Sequence, residues 1–201
     1  MSSPTLNLVA VSFAAILTVA IVSRRPRRSA KLRRHLDWLR RAGFNSLHAE
    51  REVAVELAIA CGEAMLRSAG TDARMKDGKD GIDPQTATDL ANERLVMETL
   101  GARFPEHGLI GEETAAAAGK VPPIEDRPTW IVDPIDGTQN FCHSLPVAAV
   151  SIGLCVSGQP ALGVVYDPYR DELFVGIAAE AAFCNGARLC ADSMCRPSPH
   201  C

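Results

Sequence analysis

The chain opens on an apolar run. Leu6 to Ser23, LNLVAVSFAAILTVAIVS, carries no charged side chain over 18 residues. As a helix, that length is just enough to cross a hydrocarbon layer of about 30 Å. RRPRRSAKLRR follows, and the first acidic side chain is Asp37. The run therefore predicts an N-terminal hydrophobic helix followed by a basic flank.

From Ala49 the pattern turns globular. In AEREVAVELAIACGEAMLRSAG, Val53, Leu57, Ala60, Cys61 and Ala64 share one helical face, and Gly70 is a natural stop. MKDGKDGIDPQ, dense in Gly, Asp and Lys, predicts a loop. A second helix is predicted over TATDLANERLVMETLGARF. Thr88 is its expected N-cap, Asp89 lies in its positive first turn, and Ala91, Leu95, Val96 and Leu100 form its apolar stripe. HGLIGEE reads as a short strand with an acidic end, and RPTWIVD as a second strand ending at Asp133.

Beyond Phe141 the period changes to two. Val150, Ile152, Leu154 and Val156 alternate with Ser151, Gly153 and Cys155. SGQP and DPYRD predict turns, and Asn185-Gly186 a further hairpin. Two helices followed by an antiparallel meander imply an α+β layered domain. The chain divides into a hydrophobic anchor and basic flank (1–48), a globular domain (49–189) and an irregular tail (190–201) that holds three cysteines.

Composition changes the picture little. The 201 residues are 47% hydrophobic and 22% charged, enough for one sizeable core. A net charge of -3 and scarce aromatics give no basis for nucleic-acid binding. Seven cysteines without a CxxC pair predict free thiols in a reducing compartment. No Lys or Arg precedes the apolar run, so the charged start of a secretory signal is absent. The arginines after it predict a single-pass membrane protein with its domain on the cytoplasmic side, a mitochondrial or plastid targeting segment being the alternative.

The candidate chemistry lies in WIVDPIDGTQNF, Trp130 to Phe141. Two carboxylates three apart at a strand end, Asp133 and Asp136, cannot share a buried place without a cation. Mg2+ prefers oxygen ligands and keeps room for water and phosphate oxygens. Pro134 fixes the turn, Gly137 admits close backbone approach, and N–H groups near Thr138 suit a phosphate oxygen. GEE at Gly111–Glu113 supplies further carboxylates from a neighbouring strand end. The bland alternative is a solvated acidic turn.

GEET at Gly111–Thr114 and WIVDPIDGTQNF resemble the two signature tracts of the inositol monophosphatase family. TATD at Thr86–Asp89 and AFCNG at Ala182–Gly186 are similar to that family too, in the same order. The resemblance spans Ala49 to Leu189. It implies a layered αβαβ sandwich of the sugar-phosphatase type and Mg2+-dependent hydrolysis of inositol monophosphate. By the resemblance, Glu112, Asp133 and the Ile135 carbonyl bind one Mg2+, and Asp133 and Asp136 share a second. Gly137 and Thr138 meet the phosphate through backbone N–H groups, beside Glu112, Ile135 and Asp136. Thr138 and Glu112 orient the attacking water, and Asp89 accepts a hydrogen bond from the Thr138 hydroxyl. Glu113 is expected to be a solvated neighbour, and Lys76 to Lys79 a supporting loop. A homodimer is also implied.

Family members carry a later Trp-Asp tract, and nothing after Leu189 here resembles it. The expectation is therefore a domain with an incomplete C-terminal part. Two alternatives follow: a catalytically impaired, membrane-tethered remnant, or a phosphatase of another small ester such as a bisphosphate nucleotide or histidinol phosphate.

Overall fold

The computed structural model describes residues 29–68, 73–75 and 84–190. The run Leu6–Ser23, the loop Lys76–Lys79 and the tail after Cys190 lie outside the described residues. Among those residues, no helix is long and apolar enough to cross a membrane.

Helix α1 (Ala30–Arg41) starts where the Ser29 side chain accepts the Leu32 N–H at 3.1 Å. Its sequence, AKLRRHLDWLRR, falls in the predicted basic flank, but the structure makes it an amphipathic helix packed on the core. His35, Leu36, Trp38 and Leu39 face inward while the arginines stay outside. The density of positive charge hides a short apolar stripe.

Helix α2 (His48–Ser68) is buried more widely than one stripe. Val53, Leu57 and Cys61 are buried as predicted, and so are Val55, Ala58, Ile59 and Met65, whereas Ala60 and Ala64 are half-buried. The helix lies against α1, against the helix that follows it, and over strands β5 and β6 defined below. Strands β1 (Ala73–Met75) and β2 (Pro84–Thr86) pair antiparallel.

Helix α3 (Ala87–Arg103) starts two residues earlier than expected. Thr86, not Thr88, is the N-cap: it accepts the Asp89 N–H, and Asp89 accepts the Thr86 N–H in return, closing a capping box. Its buried face is also rotated from the predicted one. Val96 and Leu100 are buried, but Ala91 and Leu95 are exposed, and the polar Asn92 and Glu93 take the inward positions. Asn92 donates to the Cys61 carbonyl at 3.3 Å, which satisfies it.

The remaining strands form one sheet in chain order: β3 (Gly108–Gly111), β4 (Thr129–Asp136), β5 (Ala149–Val156), β6 (Gln159–Asp167), β7 (Glu172–Ile177), β8 (Ala181–Cys184) and β9 (Ala187–Leu189). β3 runs parallel to β4, with the short helix α4 (Glu112–Ala118) inside the crossover; every other pair is antiparallel. The meander and the Asn185-Gly186 hairpin are as predicted, except that the register shifts after Leu154, leaving Cys155 buried and Val156 exposed. Both turn residues have positive φ, 49° and 89°, the geometry of a two-residue hairpin.

The inward side chains of the sheet, among them Trp130, Val132, Val150, Ile152, Leu154, Val164, Tyr166, Leu173 and Val175, pack against the helices in one core. Each such burial stabilises by about 1.5–3 kcal/mol. The fold is α+β, and the described residues supply one helical and one sheet layer of the expected layered arrangement. Of the cysteines singled out in the sequence, Cys61 and Cys155 are buried and Cys142 and Cys184 half-buried, all as free thiols.

Candidate active site

The site forms where the β4 ladder breaks. Strand β4 does not stop at Asp133. It pairs with β5 through Asp133 opposite Ser151, loses register, and pairs again at Asp136 opposite Ala149. Pro134 cannot donate to the ladder, and Asp133 Oδ1 accepts the Ile135 N–H at 3.1 Å, drawing the chain over the proline. The bend brings both carboxylates to one cavity of about 360 Å³, lined by Glu112, Asp133, Ile135, Asp136, Gly137, Thr138, Gln139 and Asn140.

Gly137 then turns the chain with φ 95°, a conformation that favours glycine. A Cβ there would also lie 3.0 Å from the Val147 carbonyl oxygen. Helix α5 (Thr138–Cys142) starts at this turn. The Thr138 hydroxyl faces two acceptors, the Ile135 carbonyl at 2.9 Å and Asp89 Oδ1 at 3.3 Å. Asp89 is almost fully buried, and burial pushes its carboxyl up; hydrogen bonds from Thr86 and Thr138 pull the other way.

From the other side, Glu112 is the first residue of α4, directly after the end of β3. Burial raises the Asp133 carboxyl well above the usual carboxylate range, and its hydrogen bond with Glu112 and the charges of Glu112 and Asp136 add to the rise. Among the described residues, no Lys or Arg lines the cavity to balance these acids. The donors facing it are all oxygen: three carboxylates and the Ile135 carbonyl. That set fits a hard divalent cation better than a soft one. Among the described residues, no three His, Cys, Asp or Glu side chains are grouped tightly enough to hold an ion unaided. A cation seated here would complete its shell from the carbonyl, water or a phosphate oxygen.

The structure thus brings Glu112, Asp133, Ile135, Asp136, Gly137 and Thr138 to one cavity and sets Asp89 behind Thr138. Glu113 departs from expectation. It is buried, not solvated, and accepts a hydrogen bond from the Gln85 side chain on β2. Sequence reading missed Gln139 and Asn140 in the cavity wall, although both lie inside the motif. It also missed Glu93, whose carboxylate takes the Glu113 and Thr114 N–H groups at 2.7 and 2.9 Å. Its four-residue spacing from Asp89 was the available signal.

Residues 46–198 match the model of the inositol monophosphatase family. The chain is 47% identical over 135 residues to inositol monophosphatase 3 of Solanum lycopersicum, covering 67% of this chain and 50% of that protein. It is 40% identical over 138 residues to inositol monophosphatase 2 of Homo sapiens, covering 69% and 48%. Among solved structures it resembles the extragenic suppressor protein SuhB of Bartonella henselae, with TM-score 0.62, 31% identity, and 72% and 55% of the two chains covered. It also resembles the inositol monophosphatase of Anabaena (Nostoc), with TM-score 0.59, 32% identity, and 74% and 52% covered. The chain spans about half the length of the curated relatives it matches.

Proposed function

The chain belongs to the inositol monophosphatase family, and from that premise we propose that it hydrolyses inositol monophosphate to inositol and phosphate with Mg2+ as cofactor. One observation carries the reading: three carboxylates and a carboxylate-held threonine converge on one cavity, which among the described residues is lined by no cationic side chain. Glu112, Asp133 and the Ile135 carbonyl would hold one Mg2+, and Asp133 with Asp136 a second. When bound, Mg2+ supplies the positive charge that offsets phosphate and carboxylates and makes water a stronger acid.

The residues of the chain do the positioning. The backbone N–H groups of Gly137 and Thr138, at the turn into α5, would meet the phosphate oxygens. With its proton directed to Asp89, the Thr138 oxygen accepts a hydrogen bond from water, and Glu112 accepts that water's other proton. The water oxygen attacks phosphorus, the P–O ester bond breaks, and the inositol oxygen leaves and takes up a proton. Placing nucleophile and phosphoryl group together supplies much of the rate.

Phosphate release from inositol 1-phosphate tests this, with and without Mg2+, in the wild type and in Asp133→Asn. Mg2+-dependent turnover that falls at least a hundredfold in the variant supports the reading. No turnover in the wild type overturns it in favour of a catalytically impaired member. Running a bisphosphate nucleotide and histidinol phosphate beside the inositol ester identifies the preferred ester.

The location of the protein belongs to the same reading. The Leu6–Ser23 run and the arginines after it support single-pass membrane association with the domain in the cytoplasm, and a plastid or mitochondrial address is the alternative. Resistance to alkaline extraction from membranes supports the anchor, and release with the soluble fraction overturns it. Light scattering of the purified protein tests the homodimer.

A further inference from the structure

We propose that Glu93 is the positioning residue for Glu112, holding it from a neighbouring helix in the cavity it shares with Asp133. The proposal rests on the phosphatase reading only for what Glu112 does, not for how it is held.

Helix α4 is seven residues long and starts at Gly111, which has no side chain to cap it. Its first N–H groups need acceptors, because a helix end leaves them unpaired. Glu93 supplies them. Its Oε2 takes the Glu113 N–H at 2.7 Å, and its Oε1 takes the Thr114 N–H at 2.9 Å and the Thr114 hydroxyl. Glu93 is 5% exposed. A buried carboxylate without partners is costly, and hydrogen bonds from three donors on α4 offset that cost.

Gly111 makes the contact sterically possible. Its φ of -107° is open to any residue, so backbone conformation does not demand glycine. The demand is room: a Cβ on Gly111 would lie 2.5 Å from Glu93 Cδ and 2.6 and 2.8 Å from its two oxygens. The carboxylate sits where a side chain at the helix start would be. The cap thus comes from α3, 20 residues before Glu113.

Glu112 is the residue between Gly111 and the two captured N–H groups. Its backbone is pinned by β3 before it and by Glu93 after it, which fixes where Glu112 enters the cavity that Asp133 also lines. Asp89, one turn earlier on α3, accepts the Thr138 hydroxyl. Positions 89 and 93 share a helix face. One rigid helix therefore sets both arms of the site, Thr138 through Asp89 and Glu112 through Glu93.

The test uses Glu93→Gln in the full chain, Gly111→Ala to disturb the same contact from its other side, and Glu98→Gln as control. Glu98 is exposed on α3 and pairs with Arg94. The readout free of metal and turnover is the NMR resonance of the Glu112 carboxyl carbon. Replacing Asp133 by Asn moves it in the wild type and leaves it unmoved when Glu93 is Gln. Calorimetric Mg2+ affinity then falls about tenfold or more in Glu93→Gln and Gly111→Ala and is unchanged in Glu98→Gln.

A Glu112 resonance that still responds to Asp133→Asn in the Glu93→Gln background overturns the proposal, even if thermal stability has fallen. Should Glu93→Gln not fold, Thr114→Val, which removes one donor to Glu93 and keeps the carboxylate, carries the same comparison. A wild type without turnover or Mg2+ heat fails the phosphatase reading, and the carboxyl resonance still decides the role of Glu93.

Discussion

The indole N–H of Trp38 donates to His35 Nδ1 at 3.1 Å, and this bond fixes the protonation of a buried imidazole. An indole nitrogen only donates, so Nδ1 carries the lone pair and Nε2 the proton. Nε2 then donates to Asp171 Oδ1 at 3.2 Å, beside the Tyr166 hydroxyl at 2.9 Å and the Arg34 guanidinium. The network ties α1 to the turn between β6 and β7.

A pH dependence of stability follows from that geometry. Burial lowers the His35 pKa and outweighs the pull of Asp171 in the other direction. The unfolded chain therefore binds more protons near the ordinary histidine value of 6.5, and the His35 contribution, full above that value, is lost as pH falls below it. For Asp171, burial alone would raise the carboxyl, but hydrogen bonds from Arg34, His35 and Tyr166 hold it at about 2. Its contribution is lost from 3.8 down through about 2. Denaturant unfolding of wild type and His35→Gln should give a stability difference that shrinks between pH 7.5 and pH 5. A constant difference would remove the neutral-imidazole account.

The opposite slope is expected at the carboxylate cavity. Burial, the hydrogen bond with Glu112 and the charges of Glu112 and Asp136 raise Asp133 above the ordinary aspartate value of 3.8. In metal-free protein its contribution is therefore lost as pH rises above 3.8. Asp133→Asn should stabilise the metal-free protein at pH 8. Mg2+ at a hundredfold excess over Kd should stabilise the wild type by about 2.7 kcal/mol, read as a Tm shift, with little effect on the variant. Equal Mg2+ shifts in both proteins would place the ion elsewhere.

How much of this was legible in the sequence depends on distance along the chain. Asp133 to Thr138 lie within one short tract, so their convergence follows from a turn that Pro134 and Gly137 announce. The meander was equally legible, because alternation and Asn185-Gly186 are local signals. Asn92 and Glu93 were not, because a helical stripe is read by assuming that polar means exposed. Both are buried, and their partners, the Cys61 carbonyl and the Glu113 and Thr114 amides, are 20 to 31 residues away. Glu113 misled for the same reason, its partner Gln85 being 28 residues distant. Helix α1 was hidden because four arginines dominate a stretch whose inward side chains are only His35, Leu36, Trp38 and Leu39.

Gly62 marks a close approach of α2 to the sheet. A Cβ there would lie 2.6 Å from Cδ1 and Cε1 of Tyr166 and 3.0 Å from Cβ of Pro168. Tyr166 is fully buried, with its hydroxyl held by Asp171, and cannot swing away. Alanine would add about 1 kcal/mol of helix propensity, but overpacking of this kind costs about 1–3 kcal/mol. The clash is expected to win, so Gly62→Ala should lower the denaturation midpoint. A midpoint at or above that of the wild type would mean α2 can lift from β6 without loss.

Thr138 offers the cleanest separation of fold from chemistry. Its hydroxyl has one proton and two acceptors, the Ile135 carbonyl and Asp89. Valine keeps the shape and removes the donor. Asp89 retains its hydrogen bonds from Thr86, so the stability cost should stay near 1 kcal/mol. Turnover of inositol 1-phosphate should fall about 10²- to 10⁴-fold, the range for losing a proton-transfer partner. Serine keeps the hydroxyl and should stay within about tenfold of wild type. Threonine, serine and valine variants of equal stability but steeply different turnover would assign the hydroxyl to the reaction. Three equal rates would leave it as a brace between α3 and α5 and nothing more.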